Sequence, residues 1–179
     1  MKEHNGWKVP SSAHPLVKGE WFEVDPKTIK RELFFKEVNE IDEKARKLIC
    51  EAFEEMKKKP YKYARKFKVR IPERVTYYDK RFSEIMDSLS EKKQHIADWV
   101  ELALVWAQRI SNGETWSSLR MNVSLYQLFI IGKNGKIATV GGSALPYVHY
   151  YRGHHIIQTS LSLNVTNRGA IPIIVSYDT

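Results

Sequence analysis

The stretch SEKKQHIADWVELALVWAQRISNG, residues 90–113, decides the fold. Its apolar side chains recur at the three- and four-residue spacing of a helix with one buried face. Upstream, Ser88-x-x-Glu91 matches a capping box, and Asn112-Gly113 is a typical helix end. The pattern predicts one helix over residues 89–111 whose apolar stripe packs against a sheet; the predicted buried residues are Trp99, Val100, Ala103, Leu104 and Ala107.

Towards the N-terminus, a second apolar stripe predicts a helix over residues 40–58, with Asn39 as its N-cap and Pro60 as its end. The following segment, residues 66–72, alternates between apolar and basic side chains. Alternation of this kind predicts a half-buried strand with a basic outer face, and the proline that ends it, Pro72, favours an edge position in the sheet.

Beyond Gly113 the hydrophobic period changes from helical to extended. Asn134-Gly135 lies between two short apolar runs, which is a strong hairpin signal. With further strands expected over residues 156–165 and 171–177, the C-terminal third should form an antiparallel sheet of about four strands.

These elements predict an α+β fold in which a helical layer, about 40–58 and 80–111, packs on a C-terminal antiparallel sheet, about 123–178. A strand at 66–72 would join an edge of that sheet. Residues 1–24 read as an extended N-terminal arm, and residues 25–179 as a single α+β domain of ordinary size.

The composition bounds the function. The chain has 179 residues, a net charge of +8 and a single cysteine, Cys50, which sits within a predicted helix. No apolar run is long enough to span a membrane, and the N-terminus has no signal-peptide pattern. We therefore expect a soluble, cytoplasmic protein, or a virion-associated one if it is encoded by a phage.

Positive charge is concentrated between residues 44 and 81, which hold fourteen Lys/Arg and five Asp/Glu. Cations interleaved with aromatic rings suit phosphates and bases, so residues 57–81 are a candidate nucleic-acid interface. The alternative is a solvated helix end and a strand whose lysines block aggregation. The candidate nucleic-acid-binding residues are Lys57, Lys58, Lys59, Lys62, Arg65, Lys66, Lys68 and Arg70.

A second candidate site is YVHYYRGHH, residues 147–155, which lies among Ser, Thr, Asn and Gly. Tyrosines with small polar neighbours are the composition of a recognition surface, although a loop that packs its own rings would look similar. The candidate partner-binding residues are Tyr147, His149, Tyr150, Tyr151, Arg152, His154 and His155.

The sequence contains few features that would indicate a catalytic or a metal site. No nucleophile elbow, phosphate-binding loop or zinc-protease motif is present. The histidines near residue 150 have no cysteine nearby, and adjacent histidines on a strand face opposite ways. We expect no cofactor and no metal.

The order ISNGETW (110–116), GKNGK-x-x-x-VGGS (132–143) and PIIVSYD (172–178) resembles small proteins encoded by bacteriophages and other mobile elements. The Tyr/His-rich stretch after VGGS is also similar to the variable segment of retroelement-diversified proteins, which are binding modules. This resemblance covers residues 110–179 and implies a non-enzymatic binding protein with a protein partner. The alternatives are a nucleic-acid-binding protein and an oligomeric structural subunit of a virion-like assembly.

Overall fold

The computed structural model describes residues 2–4, 7–9, 20–72, 77–116, 128–140, 160–167 and 169–177, and these residues form four α-helices and ten short strands. The helices are α1 (Glu40–Lys58), α2 (Pro60–Tyr63), α3 (Phe82–Glu91) and α4 (Trp99–Ser111). The strands are β1 (Lys2–His4), β2 (Trp7–Val9), β3 (Phe22–Val24), β4 (Phe67–Arg70), β5 (Gln94–Ile96), β6 (Leu128–Ile131), β7 (Ile137–Val140), β8 (Ser160–Leu161), β9 (Ile171–Pro172) and β10 (Ile174–Ser176).

Helix α4 is the centre of the core. Every residue from Val100 to Ser111 is buried, and α1 packs along the helix. The apolar stripe predicts a helix with one buried face, whereas α4 is covered on all sides. The predicted burial of Val100, Ala103, Leu104 and Ala107 is confirmed. Trp99, at the start of α4, is half-buried, and the Lys133 ammonium lies 4.9 Å from its ring centroid.

The prediction of one helix over residues 89–111 is wrong. Helix α3 ends at Glu91, Lys93 has a positive φ of 59°, and the chain forms β5 before α4 begins. The working capping box is Asp98 with Glu101 rather than Ser88 with Glu91. The Glu101 amide donates to Asp98 Oδ1 and the Asp98 amide donates to Glu101 Oε1, each at 2.9 Å.

Helix α1 has the predicted limits. The Asn39 side chain accepts a hydrogen bond from the amide of Asp42, so Asn39 is the N-cap, and the helix ends at Lys58. Pro60 then serves as the first residue of α2, where its missing amide hydrogen costs nothing. The local signals at both ends of α1 therefore act as the sequence indicates.

The first four-stranded sheet has the order β3-β4-β10-β5, and all its pairs are antiparallel. The alternating burial predicted for residues 66–72 is confirmed in β4. Its predicted edge position is wrong, because β4 lies between β3 and β10. Pro72 is no obstacle, since β4 ends at Arg70 and the proline falls outside the ladder.

The second four-stranded sheet has the order β8-β7-β6-β9, in which β6 and β9 are parallel. The two sheets meet at Ile173, which separates β9 from β10. The Ile173 amide donates to the Phe129 carbonyl at 3.2 Å, and its own carbonyl accepts from the Ala97 amide at 2.8 Å. One segment, residues 171–176, therefore contributes a strand to both sheets.

The predicted hairpin at Asn134-Gly135 is confirmed. Strands β6 and β7 pair antiparallel, from Leu128 with Val140 to Ile131 with Ile137. Gly135 has a φ of +77°, a conformation that a side chain would strain.

The α+β fold class is confirmed. The sheets are not confined to the C-terminal third, because β3, β4 and β5 come from before α4 and the first sheet cannot form without them. Strand β3 lies at the end of the segment predicted as an extended arm.

We expect Leu104→Ala to lower the free energy of unfolding by about 2–5 kcal/mol, because Leu104 is fully buried at the centre of α4 and its truncation leaves a cavity. Urea unfolding of the two proteins measures the difference. Leu33→Ala, at a partly buried position on the edge of the same cluster, is the control and should cost less. Equal losses in the two variants would contradict the central place of α4.

Candidate nucleic-acid interface

One face of the first sheet, the outer sheet face, carries polar and basic side chains. Paired residues of antiparallel strands point to the same side of a sheet. The register pairs Ser176 with both Lys68 and Gln94, and pairs Lys68 with Glu23. Together with Arg70 and Trp21 in the next row, these residues define the outer sheet face: Trp21, Glu23, Lys68, Arg70, Gln94 and Ser176.

The opposite face of this sheet packs into the core. Phe67, Val69 and Val175 are at most 1% exposed and join the cluster built around α4. On the outer side, helix α3 covers only the end where Ile174 and Ile96 lie. The residues of the outer sheet face are half-buried or exposed, so part of this face can meet a ligand.

Trp21 and Arg70 form an aromatic and cationic pair on the outer sheet face. The Arg70 guanidinium carbon lies 4.9 Å from the centroid of the Trp21 ring, and Trp21 is 39% exposed. The Nε of Arg70 is buried without a hydrogen-bond partner, as is Oε1 of Gln94. An exposed indole braced by a guanidinium is a surface on which a flat ring can stack.

A second basic surface, the basic turn, comprises Lys58, Lys59, Tyr61, Lys62, Arg65 and Lys66. It runs from the end of α1 through α2 to the residue before β4. The Lys66 side chain is 63% exposed and that of Lys62 is 49% exposed, while Tyr61 is 76% exposed. Since Lys66 directly precedes β4, the basic turn continues into the strand that carries Lys68 and Arg70.

Acidic partners compensate only part of this charge. Lys59 pairs with Glu55 at 3.3 Å, Lys62 lies 3.5 Å from Asp98, and Lys66 lies 3.9 Å from Asp25. Exposed ion pairs of this kind are weak in water and exchange readily with other anions. No acidic side chain occurs in the sequence between Lys57 and Arg70.

A buried polar network lies beside the basic turn at the start of α4. His95, on β5, places Nε2 at 3.1 and 2.9 Å from the two oxygens of Glu101, whose side chain is fully buried. The ring of His95 stacks on Tyr177 with a centroid distance of 5.7 Å and an interplanar angle of 11°. These contacts fix the orientation of an imidazole whose side chain is still 45% exposed.

Asp98 joins this network to the basic turn. Its Oδ2 accepts a hydrogen bond of 2.7 Å from the Tyr63 hydroxyl and lies 3.5 Å from the Lys62 ammonium. The Asp98 amide in turn donates to Glu101. The network therefore links α2, β5, α4 and the residue after β10.

The pKa of His95 is raised above its ordinary value. Burial lowers this pKa, and so does the charge of Lys62, but the hydrogen bond to Glu101 and the charges of Glu101 and Asp98 have the larger combined effect. His95 therefore keeps its proton to a higher pH than an ordinary histidine does.

Two tyrosine hydroxyls in the network stay protonated. Burial, with the hydrogen bond to Asp98, raises the pKa of Tyr63 well above its ordinary value. Burial and the charge of Glu101 do the same for Tyr177, whose buried hydroxyl lies near that carboxylate but in a geometry that falls short of a hydrogen bond. Neither phenol is a general base in this state.

The structure brings together only part of what the sequence predicts. The Tyr/His-rich candidate, with Tyr147, Tyr150 and His154 among its residues, lies outside the described residues. Of the predicted basic residues, Lys57 lies on α1 beside Glu54 and outside both surfaces, and the others divide between the basic turn and the outer sheet face. Sequence reasoning missed Trp21 as a surface residue and missed the His95–Glu101 network, for which the Asp98-x-x-Glu101 pattern was the available signal.

The described ranges contain no cluster of three or more His, Cys, Asp or Glu side chains suited to a metal ion. Burial raises the pKa of the Cys50 thiol, which also contacts the carbonyl of Phe34 at 3.5 Å. A protonated, hydrogen-bonded thiol is a poor nucleophile. Within those same ranges, no helix combines the length and the apolar character that crossing a membrane requires.

Comparison of the chain with protein-family models, with curated proteins and with solved structures finds no match.

The His95–Glu101 pair should make stability depend on pH. Since the fold raises the pKa of His95, the stabilisation is complete below the ordinary histidine value of about 6.5 and is lost as the pH rises through the folded-state value. We expect His95→Gln to lose more unfolding free energy at about pH 6 than at about pH 9. Urea unfolding of both proteins across this range measures the difference, and a difference that does not change with pH would contradict this assignment.

Proposed function

We propose that this protein is a non-enzymatic binding protein, and that the ligand its described surface fits best is single-stranded nucleic acid. The observation that carries the proposal is the continuity of the basic turn with the outer sheet face, where Trp21 is exposed beside Arg70. Single-stranded nucleic acid needs both features, since cations follow the backbone and aromatic rings stack on the bases.

The phosphate contacts would come from cations along one path. Lys62 and Lys66 belong to the basic turn, and Lys68 and Arg70 continue the path along β4. Alternate residues of a strand point to one face, which places Lys66, Lys68 and Arg70 on the same side of the sheet. Their spacing of two residues corresponds to about 6.6 Å, close to the separation of successive phosphates in an extended strand.

Trp21 supplies the stacking surface. Its ring lies in the row of Arg70 and next to that of Lys68, so a base stacked there keeps its phosphate near cations. A double helix presents its bases inside the stack, whereas a single strand offers them freely. Single-stranded DNA or RNA therefore fits this face better than a duplex.

We expect Trp21→Ala to weaken binding of a short thymidine or uridine oligonucleotide by roughly 1–3 kcal/mol, the usual contribution of one stacked base. The paired change Lys66→Gln and Lys68→Gln should reduce the slope of log affinity against log salt by roughly 1.4. Calorimetric titration at several salt concentrations measures both.

The control for charge is Lys44→Gln with Lys47→Gln, which removes the same number of cations from an earlier part of α1. It should change the affinity much less than the Lys66 and Lys68 pair. Equal losses of affinity in the two double variants would mean that the effect depends on net charge and not on the position of the lysines. Absence of binding at low salt would refute the proposed function.

A protein partner at the Tyr/His-rich segment is the second candidate, and its support is the composition of residues 147–155. We expect Tyr150→Ala with Tyr151→Ala to leave the melting temperature nearly unchanged while weakening partner capture, because tyrosines in a contact surface serve as anchors. Thermal melting and quantitative pull-down from the native host measure the two effects. Unfolding of the double variant would place those rings in the core.

A phage-encoded assembly subunit is the third proposal. Its support is the N-terminal segment, residues 1–24, whose tryptophans would reach onto a neighbouring subunit. Gel filtration separates it from the other two, because an assembly subunit should run as an oligomer without added ligand.

A further inference from the structure

We propose that His95 is a proton-dependent phosphate contact, in which the imidazolium Nδ1–H, aligned by Glu101 and next to Lys62, donates to a phosphate oxygen of the bound strand. This inference rests on the proposed function, because it names a further contact of the same ligand and the condition under which that contact forms.

The geometry leaves one ring nitrogen of His95 for a ligand. Nε2 is occupied by both oxygens of the buried Glu101. Within the described ranges, no hydrogen bond involves Nδ1, and the side chain is 45% exposed. Stacking on Tyr177 holds the ring plane in place. A donor that is already oriented loses little entropy when it binds.

The position of His95 connects it with the proposed interface. It lies on β5, the edge strand of the first sheet, and pairs with Val175, so it points to the face opposite the outer sheet face, where the basic turn lies beside it. Lys62, from the basic turn, reaches the same network through Asp98 at 3.5 Å. A strand that follows the basic turn therefore meets Lys62 and His95 together.

Protonation makes the local charge around His95 more favourable for a phosphate. The groups that face His95 are Asp98 and Glu101 at the start of α4, Lys62 and Tyr63 from α2, and Tyr177 after β10, with the Arg65 guanidinium 4.8 Å from the centroid of the Tyr177 ring. Both tyrosines are neutral, so with neutral His95 the two carboxylates outweigh Lys62. A protonated His95 offsets one of the two carboxylate charges and adds a donor, so a phosphate meets less repulsion there.

Because the pKa of His95 is raised, this change occurs at a higher pH than for an ordinary histidine. Phosphodiesters do not titrate near neutral pH, so His95 would be the partner that changes charge. A bound phosphate should raise the pKa of His95 further, because a nearby negative charge favours the imidazolium.

The test measures affinity for an oligothymidine with hydroxyl groups at both ends, at constant ionic strength, between about pH 6 and about pH 8.5. We expect affinity to rise roughly tenfold towards the lower pH, as for one charge-assisted hydrogen bond. His95→Gln should bind with little dependence on pH. The control His4→Gln, which changes a histidine of β1, should keep the dependence of the wild-type protein.

Imidazole NMR titration of the wild-type protein gives a second measurement that needs no variant. The pKa of His95 should rise when the oligonucleotide is present, which a purely structural histidine would not show. Binding that is independent of pH, a His95→Gln variant that keeps the pH dependence, or an unchanged pKa would each overturn this inference and leave the proposed function standing. Absence of binding at every pH would remove the proposed function itself.

Discussion

The complete burial of α4 constrains every other element, because a helix enclosed on all sides must have each of its polar side chains satisfied by the surrounding chain. Glu101 bonds to His95 at one end. Near the other end, Gln108 accepts from the Asp25 amide at 2.9 Å, and Ser111 accepts from the Lys30 amide at 2.9 Å. An unsatisfied group at any of these places would cost about 1–3 kcal/mol. The segment before α1 and strand β5 are therefore fixed by polar contacts as well as by apolar packing.

The sequence predicts the elements whose signals are local. Asn39 and Pro60 bound α1, and Asn134-Gly135 forms its turn, because a cap or a turn depends on residues close in the chain. The break at β5 was missed because the apolar spacing continues from Leu89 through Ile96 into α4. Two capping patterns compete there, and the pairing of β5 with β10 favours the second. That partner lies far along the chain, where periodicity gives no information.

The same limit applies to the candidate site. The basic run is visible in the sequence, but its division between the basic turn and the outer sheet face depends on the register of β4 with β3 and β10. Trp21 becomes part of the surface only because β3 pairs with β4. The His95 network joins four separate elements, and only its Asp98–Glu101 step is short enough to be recognised as a pattern. Because β4 lies inside the sheet, its lysine does not protect an exposed strand edge from aggregation. It belongs instead to a face formed by several strands.

The segment shared by the two sheets affects the order in which the chain folds during synthesis. Residues 171–176 supply an inner strand of the first sheet and the parallel partner of β6 in the second. During synthesis from the N-terminus, β4 and β5 cannot pair through β10, the strand between them, until residues 171–176 have emerged. The strand edges of β4 and β5 and the apolar surface of the helices are unprotected during that interval. Both sheets therefore close together in one long-range event, once residues 171–176 have emerged.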